Sequence, residues 1–168
     1  LPVKKADCIT AISGATADEI AKYTGCAREK IRVVPVFSPK SFPFAPRYKA
    51  SEKRNILIVG NAPNKNVDRF IEAVKDLSVN LMIIGKLRPP QVEALKKNNI
   101  FYDNIVRASE GELADAYGQA DLLLFASTFE GFGMPIVEAQ QQGLPVITSN
   151  CSSMPYVAGE GALYVDPL

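Results

Sequence analysis

The run Asp121-Leu122-Leu123-Leu124-Phe125 leads directly into Ser127-Thr128-Phe129-Glu130-Gly131-Phe132-Gly133-Met134-Pro135, and this order constrains the fold more than any other feature of the chain. A short continuous apolar run suits a strand buried on both faces of a parallel sheet. Pro135 suits the first position of a following helix, where its missing N–H is not needed, and Gly143 with Pro145 marks that helix's end. The pattern recurs along the chain. Strands are expected near 7–12, 31–34, 56–59, 81–84, 101–105, 121–125, 145–148 and 162–165, with helices near 15–24, 66–76, 89–98, 110–119 and 135–142. Alternation at this rhythm predicts an α/β fold, a Rossmann-like doubly wound parallel sheet with helices on both faces. Val67, Phe70, Ile71, Val74 and Leu77 share one helical face, and Ser109 with Glu112 forms a capping-box pattern. Pro35, Pro39, Pro43 and Pro46, followed by the polar run Lys49 to Arg54, read as a semi-rigid connector. The chain is thus expected to divide into 1–34, a linker at 35–53, and 54–168.

Composition removes several function classes. With 47% hydrophobic residues in 168 the chain can bury a core, and a net charge of +1 gives no reason to expect nucleic-acid or acidic-membrane binding. No apolar run approaches the length of a membrane span. The absence of histidine excludes Ser-His-Asp and Cys-His nucleophile machinery and any His-ligated metal from this chain. Cys8, Cys26 and Cys151 form no CxxC pair and read as small apolar fillers in a reducing compartment. No DxD cluster occurs, so no metal is expected. After Ile56-Leu57-Ile58-Val59-Gly60 there is no GxGxxG, which argues against a dinucleotide-dependent oxidoreductase. Leu1 is not an initiator methionine, and the chain reads as a piece of a longer protein.

In an open α/β sheet, ligands sit beyond the carboxyl ends of the strands, so the loops after positions 59, 84, 105, 125 and 148 matter most. The first is Gly60-Asn61-Ala62-Pro63-Asn64-Lys65-Asn66, where a lysine beside helix amides can neutralise a diphosphate. Gly131 and Gly133 allow close approach of the backbone to a ligand, and the start of the Pro135 helix favours an anion. Glu130 and Glu138 have seven residues between them. That spacing by itself is weak evidence: Glu130 reads equally as a solvated loop acid, Glu138 as a charge stabilised by the helix N-terminus, and Lys65 as a solvated lysine.

The string from Asp121 through Glu138 resembles the signature of family 4 retaining glycosyltransferases, which have the two-lobed GT-B fold and carry two glutamates around an EGFG turn. Gly143-Leu144-Pro145-Val146-Ile147-Thr148-Ser149-Asn150 and Gly159-Glu160-Gly161-Ala162-Leu163-Tyr164-Val165-Asp166-Pro167 are similar to the family's closing motifs. Ala6-Asp7-Cys8-Ile9-Thr10-Ala11-Ile12-Ser13 and Lys30-Ile31-Arg32-Val33-Val34-Pro35 resemble the passage from the N-terminal to the C-terminal lobe. The likeness covers nearly the whole chain and is strongest from Asp121 to Pro167. It implies a donor-binding C-terminal lobe at 54–168, truncated at its end, with the terminal part of the N-terminal lobe or a crossover segment at 1–34.

The implied activity is transfer of a hexosyl group from a nucleotide-diphosphate sugar to a saccharide or lipid acceptor with retention of configuration. The alternative is a non-catalytic nucleotide-sugar-binding or assembly module. By resemblance, Glu130 faces the donor sugar and Lys65 offsets charge on the departing diphosphate, the two catalytic assignments. Glu138 accepts from the ribose hydroxyls, the amides of Gly131, Phe132, Gly133 and Met134 hold sugar or phosphates, and Gly60, Asn61 and Val106 line the nucleotide side. No cofactor or metal is implied. The setting is surface-polysaccharide or lipopolysaccharide assembly, cytoplasmic or at the inner face of a membrane, and the fragment alone is expected to be inactive.

Three positions depart from the family pattern. Asn61 stands where an arginine usually follows Gly60, in a loop one residue shorter, and loss of that charge-assisted contact would weaken donor binding by about 1.5–3 kcal/mol. Lys86, in the next loop, reads as a solvated lysine rather than a substitute. Val106 replaces a frequent glycine where the backbone meets the base, and Tyr156 replaces a glutamate after Ser152-Ser153-Met154-Pro155.

Overall fold

The computed structural model describes residues 2–37 and 54–168. The elements are α1 (Pro2–Lys5), β1 (Ile9–Ala11), α2 (Gly14–Thr24), β2 (Ile31–Val33), β3 (Arg54–Val59), α3 (Val67–Val74), β4 (Val79–Ile84), α4 (Pro89–Lys97), β5 (Phe101–Ile105), α5 (Glu110–Gln119), β6 (Leu122–Phe125), α6 (Met134–Gln141), β7 (Val146–Ser149), α7 (Met154–Ala158) and β8 (Leu163–Val165). Residues 38–53 of the expected linker lie outside the described residues.

β3 to β8 form one six-stranded sheet in the order β5-β4-β3-β6-β7-β8, with every pair parallel. Successive connections run outward from β3 to β5, return to β6 beside β3, and continue outward to β8. The direction therefore reverses between β3 and β6, the place where such a sheet opens a crevice at its carboxyl ends. β1 and β2 pair separately, also in parallel, with α2 packed over them through Ala11, Ala17 and Ile31.

Alternation along the strands divides the core between two faces. Leu57, Leu123, Phe125 and Val146 pack with Tyr117 of α5, Ile136 and Ala139 of α6, and Met154 and Ala158 of α7. Ile56, Ile58, Leu81 and Ile83 pack with Val67, Phe70, Ile71 and Val74 of α3 and Leu95 of α4. The expected doubly wound sheet is therefore what these residues build. On the second face an apolar groove of about 410 Å³ lies between α3 and the strands β3, β6, β7 and β8, bordered by Phe70, Leu122, Leu124, Ile147 and Leu168. None of Lys65, Glu130 and Glu138 lines it.

Local expectations meet mixed outcomes. The capping box at α5 forms: Ser109 Oγ accepts from Glu112 N, and a Glu112 carboxylate oxygen accepts from Ser109 N at 2.8 Å. The helix expected at 66–76 ends at Val74, so Leu77 falls beyond it and is 59% exposed. Pro135 is second rather than first in α6, because Gly133 with φ 107 turns the chain one residue earlier. The second position also leaves its N–H unused by the helix, so proline remains compatible.

Ser127, just past β6, is fully buried, and its hydroxyl has no hydrogen-bond partner among the described residues. An orphaned buried hydroxyl costs about 1–3 kcal/mol. Ser127→Ala is therefore expected to leave the urea unfolding midpoint unchanged or raise it, by the equivalent of about 1 kcal/mol.

Candidate functional site

The loops after β3 and β6 meet at the reversal point and are stitched together. Thr128 N donates to Asn64 O at 2.9 Å, Asn64 Nδ2 donates to Phe129 O at 2.8 Å, and Asn66 Nδ2 donates to Ala126 O at 3.2 Å. Asn66 adopts φ 62, a left-handed conformation that asparagine tolerates, and so caps the start of α3 while its side chain crosses to the other loop.

This stitching brings Lys65 onto Glu130. Lys65 Nζ lies 2.7 Å from Glu130 Oε1, with the two side chains 19% and 13% exposed. The ammonium also stands 4.5 Å from the centre of the Phe125 ring, a cation–π contact. Asn64 Nδ2 is a second donor to the same Oε1, at 3.3 Å. Gly60 has φ 90, and a Cβ there would stand 2.9 Å from Lys65 Cε, so the glycine leaves the path along which the lysine stem crosses the loop.

The turn carrying Glu130 is held by its carbonyls. Ser152 Oγ donates to Glu130 O at 2.7 Å and Ser153 Oγ to Phe132 O at 2.7 Å, from the segment just before α7. Ser152 itself sits at φ 56, a strained position that carries its hydroxyl onto the turn. The intervening carbonyl, Gly131 O, accepts from Ser13 Oγ at 2.6 Å and Thr16 Oγ1 at 3.0 Å, both at the start of α2. Ser13 is fully buried and also caps α2 by accepting from Thr16 N. Three consecutive carbonyls are thus engaged, and the amides of Gly131, Phe132, Gly133 and Met134 donate to no acceptor among the described residues. Four free amides at a helix start are suited to an anion or to sugar hydroxyls.

Glu138 lies in α6 and is 9% exposed. Its Oε2 accepts from the Tyr117 hydroxyl at 2.7 Å. Burial pushes the Glu138 carboxyl up from its ordinary value, and the Tyr117 hydrogen bond opposes part of that rise. Burial, with the Glu138 charge second, pushes the Tyr117 hydroxyl far up, so it stays protonated and acts as a donor. Among the described residues it is the one donor to this carboxylate, and it fixes the orientation.

Not every expected residue joins this cluster. Asn61 Nδ2 donates to Lys86 O, which ties the loop after β3 to the loop after β4 and adds no charge. Lys86 is exposed. Val106 is 52% exposed just past β5, two strands from β3, and Tyr156 is 64% exposed on α7. Conversely, Ser13, Thr16, Asn64, Tyr117, Ser152 and Ser153 hold the site without having been singled out from the sequence. Ser13 carried a legible signal, a serine directly before a helix with a threonine three residues on. The others hold it through long-range partners. Among the described residues no group of three or more His, Cys, Asp or Glu is placed to hold a metal, and no helix is long and apolar enough to cross a membrane.

Two outcomes follow from these contacts. Ser13→Ala removes both a helix cap and the hydrogen bond to Gly131, and is expected to lower stability by about 1–2 kcal/mol in urea titration. For Glu138 the folded state penalises the ionised form, so the penalty is complete above the raised folded pKa and fades as pH falls through it toward 4.5. Glu138→Gln should therefore raise the thermal midpoint at pH 8 by about 2 °C, with the gain shrinking as pH is lowered.

Comparison with known proteins agrees with this architecture. Residues 53–168 match the model of the family described as glycosyl transferases group 1. The chain is 31% identical to the MMP alpha-(1->4)-mannosyltransferase of Mycolicibacterium hassiacum, covering 88% of this chain and 38% of that protein. It is 32% identical to the O-antigen chain mannosyltransferase RfbU of Salmonella typhimurium, covering 99% of this chain and 49% of that protein. The chain thus spans half or less of the length of these relatives. Among solved structures, Anabaena HepE in complex with UDP and glucose superposes with a TM-score of 0.71 at 17% identity, over 96% of this chain and 50% of that one. The six-stranded parallel lobe is of the kind found in GT-B glycosyltransferases, and the chain belongs to the group 1 glycosyl transferases.

Proposed function

We propose that this chain supplies the donor site of a hexosyltransferase that takes a nucleotide-diphosphate sugar and transfers the sugar with retention of configuration. Residues 54–168 act as the donor lobe and 1–34 as the closing part of the other lobe, which carries the saccharide or lipid acceptor. The observation that carries this reading is the meeting of Lys65, Glu130 and four free amides at the point where the sheet reverses direction. A cation and unpaired amides suit a diphosphate, and a partly buried carboxylate beside them suits sugar hydroxyls.

The surroundings of Lys65, Glu130, Glu138 and the turn amides support a role for each. Lys65 neutralises charge that grows on the diphosphate as it departs, an electrostatic contribution that is largest in a crevice poor in water. Glu130 accepts hydrogen bonds from the sugar and stabilises positive charge at the anomeric carbon. Glu138, aligned by Tyr117, accepts from the ribose hydroxyls with its second oxygen. The amides of Gly131 to Met134 hold the phosphates or the sugar, Gly60 borders the nucleotide, and Asn61 and Val106, which stand apart from the cluster, are assigned to the nucleotide side by the family resemblance alone. The mannosyltransferase relatives favour a hexose donor, and the UDP-bound neighbour favours a nucleoside diphosphate as carrier. No metal or cofactor takes part in this reading. The O-antigen chain mannosyltransferase relative supports surface-polysaccharide synthesis as the setting, and a cytoplasmic location at the inner face of a membrane is part of the same proposal.

One observation favours a non-catalytic nucleotide-sugar-binding module instead. Asn61 spends its side chain on the Lys86 carbonyl and supplies no second cation for the diphosphate. Turnover of a sugar nucleotide by the full-length protein separates the two readings. For the binding step, ligand-observed NMR against UDP, GDP, ADP and their hexose conjugates is expected to show saturable binding of one nucleotide family. Lys65→Ala and Glu138→Ala should each weaken it by about tenfold or more. Binding that survives both substitutions would place the nucleotide elsewhere.

A further inference from the structure

The contact between Lys65 and Glu130 joins the group assigned to the diphosphate with the group assigned to the sugar. The two lie 2.7 Å apart in a largely buried setting, with Asn64 as a further donor to the same carboxylate oxygen. Without ligand, each charge is therefore the other's partner. Lys65 cannot reach a phosphate without giving up or sharing that partner. A phosphate that shares it stands beside a carboxylate of like charge, and repulsion in a partly buried site is poorly screened by salt.

The consequence differs between a complete donor and its remnant. A nucleoside diphosphate-sugar brings hydroxyl donors that replace Lys65 as hydrogen-bond partners of Glu130, so both charges are satisfied after the exchange. A bare nucleoside diphosphate satisfies Lys65 and leaves Glu130 charged, desolvated and short of donors, with Asn64 alone remaining beside it. We infer that Glu130 is the resident counter-ion of Lys65, and that this exchange of partners makes the site discriminate against the nucleoside diphosphate left after sugar transfer. Glu130 is then a specificity-determining group for the state of the nucleotide, in addition to any contact with the sugar. The inference rests on the donor-site reading of the preceding subsection.

Isothermal titration of the full-length protein with UDP, GDP, UDP-glucose and GDP-mannose tests it, using wild type, Glu130→Gln and Glu130→Ala, each checked for an intact thermal transition. For the base that the wild type accepts, both variants should bind the bare diphosphate about tenfold more tightly, while the hexose conjugate binds equally or more weakly. The ratio of the two dissociation constants should therefore fall. A purely structural ion pair would lower the thermal midpoint and leave that ratio unchanged. If neither variant binds the bare diphosphate more tightly than wild type does, the counter-ion role is overturned while the donor site stands. If the wild type binds none of the four probes, nor ADP and its hexose conjugate, the donor-site reading fails and the counter-ion role with it.

Discussion

A parallel sheet whose connections leave its first strand in one direction and return to run in the other has a gap at its carboxyl ends, and Lys65, Glu130 and the turn amides of the candidate site are arranged around that gap. β3 and β6 flank it, so the loops that follow them face one another across a few ångströms. Backbone polar groups in facing loops need partners, and here Asn64, Asn66 and Thr128 supply them by bonding across the gap. Lys65 lies between two of these stitching residues, and its ammonium has little choice but to meet Glu130. The charged pair is thus a product of the sheet order and of hydrogen-bond satisfaction, not of local sequence.

The turn after β6 shows how such a site is held ready. Its carbonyls at Glu130, Gly131 and Phe132 are engaged by hydroxyls from the segments before α7 and at the start of α2. Preorganisation of this kind fixes which way each peptide faces, while the amides of residues 131–134 stay without an acceptor among the described residues. The start of α2 belongs to the small β1–β2 sheet, so this hold comes from outside the six-stranded unit. Movement of that smaller unit would be felt directly at Gly131, which offers a physical route for coupling between the two parts.

Burial and charge are balanced differently at the two glutamates. Glu130 has a cation beside it and an amide donor at the same oxygen, whereas among the described residues Glu138 has only a neutral hydroxyl. Desolvation is consequently the larger influence at Glu138 and raises its pKa. A carboxylate held with one oxygen engaged and little compensation for its charge gains most from a ligand that brings hydroxyl donors. In the proposed donor site, that ligand group is a ribose.

The amino-acid order by itself determined the alternation of strands and helices, because apolar runs such as Leu122 to Phe125 and the helical face of Val67, Phe70, Ile71 and Val74 are local patterns with one physical reading. It also offered Lys65, Glu130 and Glu138 as candidates, through the resemblance of the Lys65 loop and of the glycine-rich turn before α6 to a family pattern. Boundaries were less legible: Leu77 continued a helical periodicity that the chain abandons, and Gly133 turned the helix one residue before Pro135. The contacts of Ser13, Tyr117 and Ser152 were decided by the tertiary structure alone. Each acts on a partner more than twenty residues away, and no local pattern encodes which distant carbonyl or carboxylate a hydroxyl will meet.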